Sequence, residues 1–197
     1  EGETDCDLEL PPEFDPSTYR SLHQDLQDFS DEDLWQHYQD HGKEEGRPCS
    51  LIENRHQFIK LVERSGSILE IGPFFNPALS RRDANVEYLD FCDSEKLRER
   101  AKDIPDASGK EIPYIDYVWH GQPYSDLINK RFDAVFSSHC IEHQPCLVRH
   151  LEEVSSILKS GGYYFLAIPD KRYCFDHYMP LTTFADVVSA FTEQRQR

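Results

Sequence analysis

Residues that can bind a polar ligand lie at the carboxyl ends of three predicted strands. Glu70 and Gly72 end the first strand, Asp90 ends the second, and His139 and His143 follow the fourth. A carboxylate at a strand end can accept hydrogen bonds from both ribose hydroxyls of a nucleoside, and a histidine can take the proton that a reacting hydroxyl or amine loses. Because open parallel sheets bind ligands beyond the carboxyl ends of their strands, this pattern predicts one site for a nucleoside.

The elements that position these residues are strands and helices in alternation. The sequence predicts strands at 67–72, 86–90, 114–118, 132–136 and 163–168, and helices at 51–64, 94–102, 147–158 and 184–191. Strands that alternate with helices form parallel sheets with right-handed crossovers. The separation of 90 − 70 = 20 residues between Glu70 and Asp90 suits one βαβ step. The predicted fold class is therefore α/β with a mostly parallel sheet, in a domain that covers residues 50–197.

The N-terminal segment differs in character from the rest of the chain. Residues 1–12 are acidic and end in two prolines, and they are predicted to form a tail. Residues 13–48 are predicted to form a helical hairpin, because Asp15 and Ser30 can cap two helices and Gly42 can end the second. The hairpin is too small to hold a core alone, so we expect it to pack on the main domain or on a partner.

Composition and charge exclude several classes of protein. The net charge of −16 repels nucleic-acid phosphates, so no nucleic-acid partner is expected. The sequence contains no run of about 18 apolar residues and no signal-peptide pattern, which predicts a cytoplasmic protein without a membrane span. Its six cysteines lack the C-x-x-C spacing of zinc sites and are interpreted as free thiols, so no metal is expected.

The loop after the first strand distinguishes between two nucleoside cofactors. A dinucleotide needs several glycines to bring its pyrophosphate close to a helix N-terminus, but this loop offers only Gly72, followed by Pro73 and Phe74. S-adenosylmethionine (SAM) has no phosphate, and it needs a turn, a carboxylate for its ribose and an apolar slot for its adenine. The loop therefore favours SAM, and an enzyme that uses NAD or a nucleotide sugar is a weaker hypothesis.

Four motifs occur in the order found in class I SAM-dependent methyltransferases of the type 11 group: ILEIGP at 68–73, YLD at 88–90, FDAVFSSHCIEH at 132–143 and LKSGG at 158–162. The chain resembles this family over roughly residues 55–190. The resemblance implies a Rossmann-like three-layer sandwich, SAM as cofactor and methyl transfer as the activity. Because the last strands of the family's sheet find no counterpart, we expect a C-terminally incomplete domain. A homo-oligomer, another partner or the N-terminal hairpin would then cover its open sheet edge.

The resemblance also implies roles for the residues at the strand ends. Glu70, Gly72 and Pro73 would lie beside the methionine part of SAM, and Asp90 would hold the ribose. Tyr117 and Val118 would flank the adenine, Ser138 and His139 would border the methyl group, and His139 and His143 are the candidate catalytic bases.

Three of these roles have a structural alternative. Asp90 can serve as a helix-capping carboxylate, Glu70 can brace the loop, and His139 can bond a backbone carbonyl. Phe74 stands where the family often has glycine, so its ring can narrow the pocket.

The N-terminal hairpin carries a second resemblance, to a short helical module attached to bacterial glycosyltransferases and other surface-polysaccharide enzymes. The shared pattern includes FDP at 14–16, HG at 41–42 and EGR at 45–47. Together the two resemblances imply a SAM-dependent methyltransferase that acts on an oxygen or nitrogen of a sugar, a glycan or a related small molecule. The alternative is a non-catalytic SAM-binding or docking module of a larger polysaccharide-biosynthesis protein.

Overall fold

The computed structural model of the chain describes residues 14–50, 52, 54–107 and 109–195. These residues form two compact units, a helical unit that ends at Arg64 and an α/β unit that begins at Ser65. The predicted acidic tail, residues 1–12, lies outside the described residues. Within the described part of the chain, none of the helices combines the length and the apolar character that crossing a bilayer requires.

The helical unit contains short helices whose starts are set by side-chain caps. The elements are α1 (Pro16–Leu22), a 3-10 turn (Gln24–Leu26), α2 (Asp31–His37), a π-helical turn (Tyr38–Gly42) and α3 (Arg55–Glu63). The Asp15 carboxylate accepts a hydrogen bond from the backbone N–H of Thr18, and the Ser30 hydroxyl accepts one from Asp33. Both predicted caps of the hairpin are therefore confirmed. The helix predicted at 51–64 is shorter, because the Asn54 side chain caps it at the N–H of Gln57.

An aromatic cluster fills the interior of the helical unit. Its buried members are Phe14, Tyr19, Leu26, Leu34 and Trp35. The ring of Phe14 lies 5.2 Å from that of Trp35 in an edge-on arrangement, and the Tyr19 hydroxyl lies 3.1 Å from Nδ1 of His37. Aromatic pairs of this kind bury large areas and fix ring orientation. The hairpin thus has a small core of its own, although its length led us to expect none.

The α/β unit is built on one parallel sheet. Its strands are β1 (Ser67–Ile71), β2 (Asn85–Asp90), β3 (Tyr117–Val118), β4 (Phe132–Ser138) and β5 (Leu158–Ala167). All neighbouring strands pair in parallel, in the order β3-β2-β1-β4-β5. The helices that follow along the chain are α4 (Ser94–Ala101), α5 (Tyr124–Leu127), α6 (Leu147–Ile157) and α7 (Phe184–Thr192). The predicted α/β, Rossmann-like fold is confirmed.

The core of this unit lies between the sheet and the helices α5 and α6. Its buried members are Leu69, Ile71, Leu89, Tyr124, Ile128, Phe132, Val135, Val154 and Ile157. Leu69 and Ile71 are two residues apart along β1, as expected for one face of a sheet. This packing fixes the carboxyl ends of β1, β2 and β4 relative to one another.

Two strand boundaries differ from the prediction. The third strand, predicted at 114–118, is only two residues long, because the Asp116 carboxylate accepts the backbone N–H of Tyr88 in place of a ladder bond. The fifth strand begins at Leu158, five residues before the predicted start at 163. Leu158 pairs with Phe132, and the ladder shifts register before it resumes. Glycine at position 161 takes a positive φ of 76° and so accommodates this irregularity.

The connection between β1 and β2 corrects the predicted βαβ step. Residues 72–84 form turns, and no helix occurs among these described residues. The Glu70 carboxylate accepts hydrogen bonds from the backbone N–H groups of Ala78 and Leu79, at 2.7 and 3.0 Å. The Tyr88 hydroxyl donates to the carbonyl oxygen of Leu79 at 2.6 Å. Two buried side chains thus satisfy the backbone groups that a crossover helix would otherwise pair.

Candidate functional site

A cavity of about 220 Å³ opens where β1, β2 and β4 end. Four residues predicted to form the site line it: Gly72, Asp90, His139 and His143. The remaining lining residues are Ile71, Phe74, Leu89, Phe91, Arg100, Trp119, Tyr124, Cys140 and Gln144. The topology brings these side chains together, because the chain reverses its direction across the sheet between β1 and β4.

The other residues predicted to bind the cofactor lie elsewhere. Five of the described residues are absent from the lining of this cavity: Glu70, Pro73, Tyr117, Val118 and Ser138. The buried Glu70 carboxylate is engaged by the loop backbone, as the bracing alternative predicts. The Tyr117 hydroxyl donates a hydrogen bond to the Glu87 carboxylate at 2.7 Å. A role for these five residues in cofactor binding therefore stays a prediction.

Asp90 is the buried acid of the cavity. It is 2% exposed, and its two carboxylate oxygens accept hydrogen bonds from the backbone N–H groups of Phe74 at 3.2 Å and Phe91 at 2.7 Å. Burial raises the pKa of Asp90, and these N–H donors act in the opposite direction. The backbone N–H of Cys92 is a third donor to this carboxylate. An ionised carboxylate has about four acceptor positions, so Asp90 keeps acceptor capacity for a hydroxyl group of a ligand.

Strained backbone borders the same cavity. Phe74 and His139 have φ angles of 45° and 51°, in the left-handed region that residues with a side chain rarely adopt. The N–H of His139 donates to the carbonyl oxygen of Ala167 at 3.0 Å, which helps to hold the strained residue in place. Such conformations persist where the surrounding structure enforces them, and they concentrate at functional sites.

The two histidines at the cavity share one carboxylate. The Oε1 atom of Glu142 lies 3.8 Å from Nδ1 of His139 and 4.0 Å from Nε2 of His143. Both imidazoles are more than half exposed, at 63% and 57% of their side-chain surface. An imidazole that takes a proton here gains a positive charge beside an acidic group. The arrangement can accept a proton from a ligand that enters the cavity.

Two aromatic rings form an apolar slot beside Asp90. Phe91 follows the carboxylate directly, and Trp119 follows β3 and donates its indole N–H to the carbonyl oxygen of Gln122 at 2.7 Å. The guanidinium of Arg100 stacks on the Phe91 ring at 4.8 Å. Sequence reasoning placed the adenine beside the two residues of β3 and missed this pair. The signal was present in the sequence, since large rings directly follow the second and third strands.

A second cavity of about 400 Å³ adjoins the first and lies between α5 and α6. The two cavities share Phe91, Trp119, Tyr124 and Gln144, so the aromatic slot opens into both. The larger cavity is also lined by His120, Gly121, Pro145, Cys146, Arg149, His150, Glu153 and Arg195. A ligand held at Asp90 can therefore extend past the two rings into the larger space.

Metal-binding chemistry finds little support in the described part of the chain. No group of three or more His, Cys, Asp and Glu residues there is arranged to hold an ion. The described cysteines, at positions 49, 92, 140, 146 and 174, are free thiols.

Comparison with known proteins adds one family and several solved structures. Residues 72–166, a little under half of the chain, match the family model described as "Methyltransferase domain". No curated protein matches the chain. The match spans the chain from the end of β1 to β5, which is the part that forms the cavity. It supports the predictions of a methyltransferase domain and of SAM as its cofactor.

Three solved structures illustrate the similarity. The CcbJ methyltransferase from Streptomyces caelestis is 20% identical over 56% of this chain and 45% of that chain, with a TM-score of 0.37. The glycopeptide N-methyltransferase MtfA is 20% identical over 64% and 57% of the two chains, with a TM-score of 0.39. The MtfA complex with SAM is 19% identical over 66% and 55%, with a TM-score of 0.39. The present chain spans about half the length of these solved relatives.

Proposed function

We propose that this chain is a SAM-dependent methyltransferase that methylates an oxygen or nitrogen of a sugar, a glycan or a related small molecule. One observation carries the proposal. A single cavity within the segment that matches the methyltransferase domain combines a buried carboxylate, an aromatic slot and two exposed histidines. Each of these groups has a separate task in binding the cofactor or the acceptor.

The chain's own residues fit SAM. The Asp90 carboxylate keeps acceptor capacity for the ribose, and Phe91 and Trp119 offer ring faces for the adenine. Gly72 has a φ of 72°, and a side chain added there would meet only the Cys140 sulfur, at 3.9 Å. The backbone at Gly72 is therefore open to close approach by the methionine part of the cofactor.

The reaction needs alignment and removal of one proton. SAM, when bound, supplies a methyl group on a positively charged sulfur, which leaves readily in an in-line displacement. His139 or His143 takes the proton that the acceptor hydroxyl or amine loses. The Glu142 carboxylate lies within 4.0 Å of both rings.

Two parts of the chain support a sugar as the methyl acceptor: the segment that follows β5 and the N-terminal hairpin. Tyr173, Phe175 and Tyr178 are among its most exposed large side chains, at 86%, 93% and 90%. Aromatic rings stack on the faces of sugar rings, and the nearby carboxylates of Asp170 and Asp176 can accept hydrogen bonds from sugar hydroxyls. We propose that residues 13–48 form a module beside a methyltransferase domain at 50–197. This module resembles one attached to surface-polysaccharide enzymes, which suggests a polysaccharide pathway.

Titration calorimetry with S-adenosylhomocysteine (SAH), followed by a transfer assay, tests the proposal. We expect the purified chain to bind one SAH and to transfer a labelled methyl group from SAM to at least one member of a panel of nucleotide sugars and glycans. Replacing both His139 and His143 by Ala should lower turnover by about 100-fold, with SAH binding retained. The control is His120→Ala, an exposed histidine in the neighbouring cavity. Absence of SAH binding by the folded chain would contradict the proposal.

The alternative is a non-catalytic SAM-binding or docking module of a larger polysaccharide-biosynthesis protein. The observation that favours it is the ring of Phe74, which occupies the loop at a strained φ and lines the cavity. The same assay separates the two functions. A chain that binds SAH but transfers no methyl group to any acceptor is a binding module, and any turnover excludes that function.

A further inference from the structure

A buried hydrogen-bond chain crosses the α/β unit from the larger cavity to the end of β4. The Nε2 atom of His150, on α6, lies 2.7 Å from the Tyr164 hydroxyl oxygen. That oxygen lies 2.8 Å from the Ser137 hydroxyl oxygen, in β4. His150 is 4% exposed and Ser137 is 1% exposed, so the chain is sheltered from water for most of its length. The proposed function so far uses none of these three groups.

Counting protons gives this chain a direction. The Ser137 and Tyr164 hydroxyls each have one proton to donate, and the chain contains two hydrogen bonds. Both protons are used only if Ser137 donates to Tyr164 and Tyr164 donates to Nε2 of His150. In the opposite direction the buried Ser137 proton has no acceptor, which is unfavourable. Nε2 is then an acceptor, and the proton of the neutral imidazole resides on Nδ1.

The Nδ1 atom of His150 faces the cavity. Among the described residues it has no hydrogen-bond partner, yet no buried side-chain nitrogen or oxygen in that part of the chain is left unpaired. Nδ1 is therefore reached by solvent, and the space that His150 lines is the larger cavity. The neighbouring Glu153 carboxylate is engaged, because it accepts the backbone N–H of Tyr124 at 2.5 Å.

We propose that His150 is a specificity-determining residue for the nucleobase of the cofactor, to which it donates a hydrogen bond from Nδ1. Tyr164 and Ser137 are positioning residues that fix the tautomer of His150. The assignment rests on the proposed function, because a nucleoside whose ribose lies at Asp90 extends past Phe91 and Trp119 toward His150. The base must then present a ring nitrogen acceptor, as adenine does.

Burial supports the neutral imidazole that this role requires. It lowers the pKa of His150 to about 4, so the ring carries no charge at physiological pH. A neutral N–H donor suits an uncharged base.

The tautomer can be tested without any ligand. In the 15N NMR spectrum of histidine-labelled protein between pH 6 and 8, we expect His150 to show the neutral pattern protonated at Nδ1. Tyr164→Phe should remove this preference and leave a mixture of tautomers, because the donor to Nε2 is lost. A wild-type His150 protonated at Nε2 would overturn the assignment.

Ligand analogues test the contact itself. We expect one of three SAH analogues, lacking the nitrogen at position 1, 3 or 7 of the adenine ring, to bind wild-type protein about tenfold more weakly than SAH, the loss of one hydrogen bond. The same analogue should bind the His150→Phe variant as well as SAH does, whereas His56→Phe, at an exposed position on α3 that lines neither cavity, should behave as wild type. The analogue series on wild-type protein needs no variant, so a misfolded His150→Phe leaves it intact.

The two proposals fail in different ways. If folded wild-type protein does not bind SAH, the proposed function is overturned, and the nucleobase contact falls with it. If SAH binds and all three analogues bind equally well, the role of His150 is overturned while the proposed function stands.

Discussion

The ends of β1 and β2 each carry a carboxylate that is buried to the same degree, yet one carboxylate holds a loop and the other faces a cavity. Glu70 and Asp90 are both 2% exposed, and both accept hydrogen bonds from backbone N–H groups. Both donors to Glu70 belong to the connection between the strands, and this carboxylate does not line the 220 Å³ cavity. Asp90 faces that cavity, and two of its donors, Phe74 and Phe91, line the cavity too.

This difference separates structural from ligand-binding acids. A buried carboxylate whose acceptor positions serve a loop holds that loop, whereas one that keeps acceptor positions toward a cavity can hold a ligand. Burial is equal and the functional group is a carboxylate at both strand ends, so neither property decides the role. The position of the backbone donors around each carboxylate decides it.

The largest effect that we expect is on stability, from Glu70→Gln. The amide of Gln has only one oxygen, so it cannot accept the hydrogen bonds from both Ala78 and Leu79 that the two carboxylate oxygens accept. Its NH2 group would instead face one of these backbone N–H donors in a buried place. The free energy of unfolding should fall by about 3 kcal/mol, the range for hydrogen bonds to a charged group. Urea denaturation measures this change. Glu152→Gln, an exposed residue on α6, is the matched control and should be neutral within about 0.5 kcal/mol.

Asp90→Asn should show the opposite profile, with a larger effect on binding than on stability. The charge-assisted hydrogen bonding to the ribose weakens, so SAH affinity should fall by about 30-fold, near 2 kcal/mol. The free energy of unfolding should change by less than about 1 kcal/mol, because relief of the buried charge offsets the weakened backbone bonds. Calorimetry and urea denaturation of the same samples measure both quantities.

The matched control for this second substitution is Asp103→Asn, at an exposed position. It should leave both the affinity and the stability unchanged. The comparison of the two strand ends breaks down if Glu70→Gln lowers SAH affinity as much as Asp90→Asn does, or if Asp90→Asn unfolds the protein.

Phe74 lies in the loop between the two carboxylates. A smaller effect on stability is expected from substitutions there, because its backbone is strained. Because the φ of Phe74 is 45° and Gly alone adopts this region without cost, the Phe74→Gly variant should have a free energy of unfolding about 1 kcal/mol higher than that of Phe74→Ala. At Phe75, whose φ is not positive, the order should reverse, with Ala more stable by about 0.5 kcal/mol. Thermal unfolding of these four variants tests the reversal. Equal rank orders at the two positions would contradict strain at Phe74.

The smallest effect that we expect is a pH dependence specific to Asp90. Its pKa in the folded protein is raised above the ordinary value of 3.8, so the folded protein takes up this proton at a higher pH than the unfolded chain. The stability of wild type relative to Asp90→Asn should therefore rise as the pH falls from neutral toward 3.8. SAH affinity should fall over the same interval, because the protonated carboxyl loses acceptor capacity. A flat stability difference across this range would exclude an ionised, desolvated Asp90.

The parallel sheet and its order of elements could be predicted from the sequence, because apolar runs and helical patterns alternate clearly from residue 50 onward. The cap of α7 illustrates the local accuracy, since Thr183 and Asp186 form the capping box that starts this helix. The missing helix after β1 could not be predicted. It depends on contacts from Glu70 and Tyr88 to one loop, which no spacing in the sequence reveals.

The candidate site was predictable only in part. Gly72, Asp90 and the two histidines follow strand ends, and parallel topology necessarily brings such positions to one edge. Trp119 was missed because the prediction considered only the last two residues of β3, and Trp119 follows the end of the strand directly. His150 was missed because it lies on the buried face of a helix and meets its partner Tyr164 only through folding.

The helix-free connection after β1 also bears on the order in which the molecule assembles. Ser67 pairs with Asn85, a separation of 85 − 67 = 18 residues, whereas Ile68 pairs with Ala134, a separation of 134 − 68 = 66 residues. Closing the longer loop costs about 1 kcal/mol more chain entropy, so β1 and β2 should meet before β4 joins them. The 220 Å³ cavity takes Gly72 and Asp90 from the part that forms early and its two histidines from the part that forms late. The cavity is therefore complete only after β4 has joined the sheet.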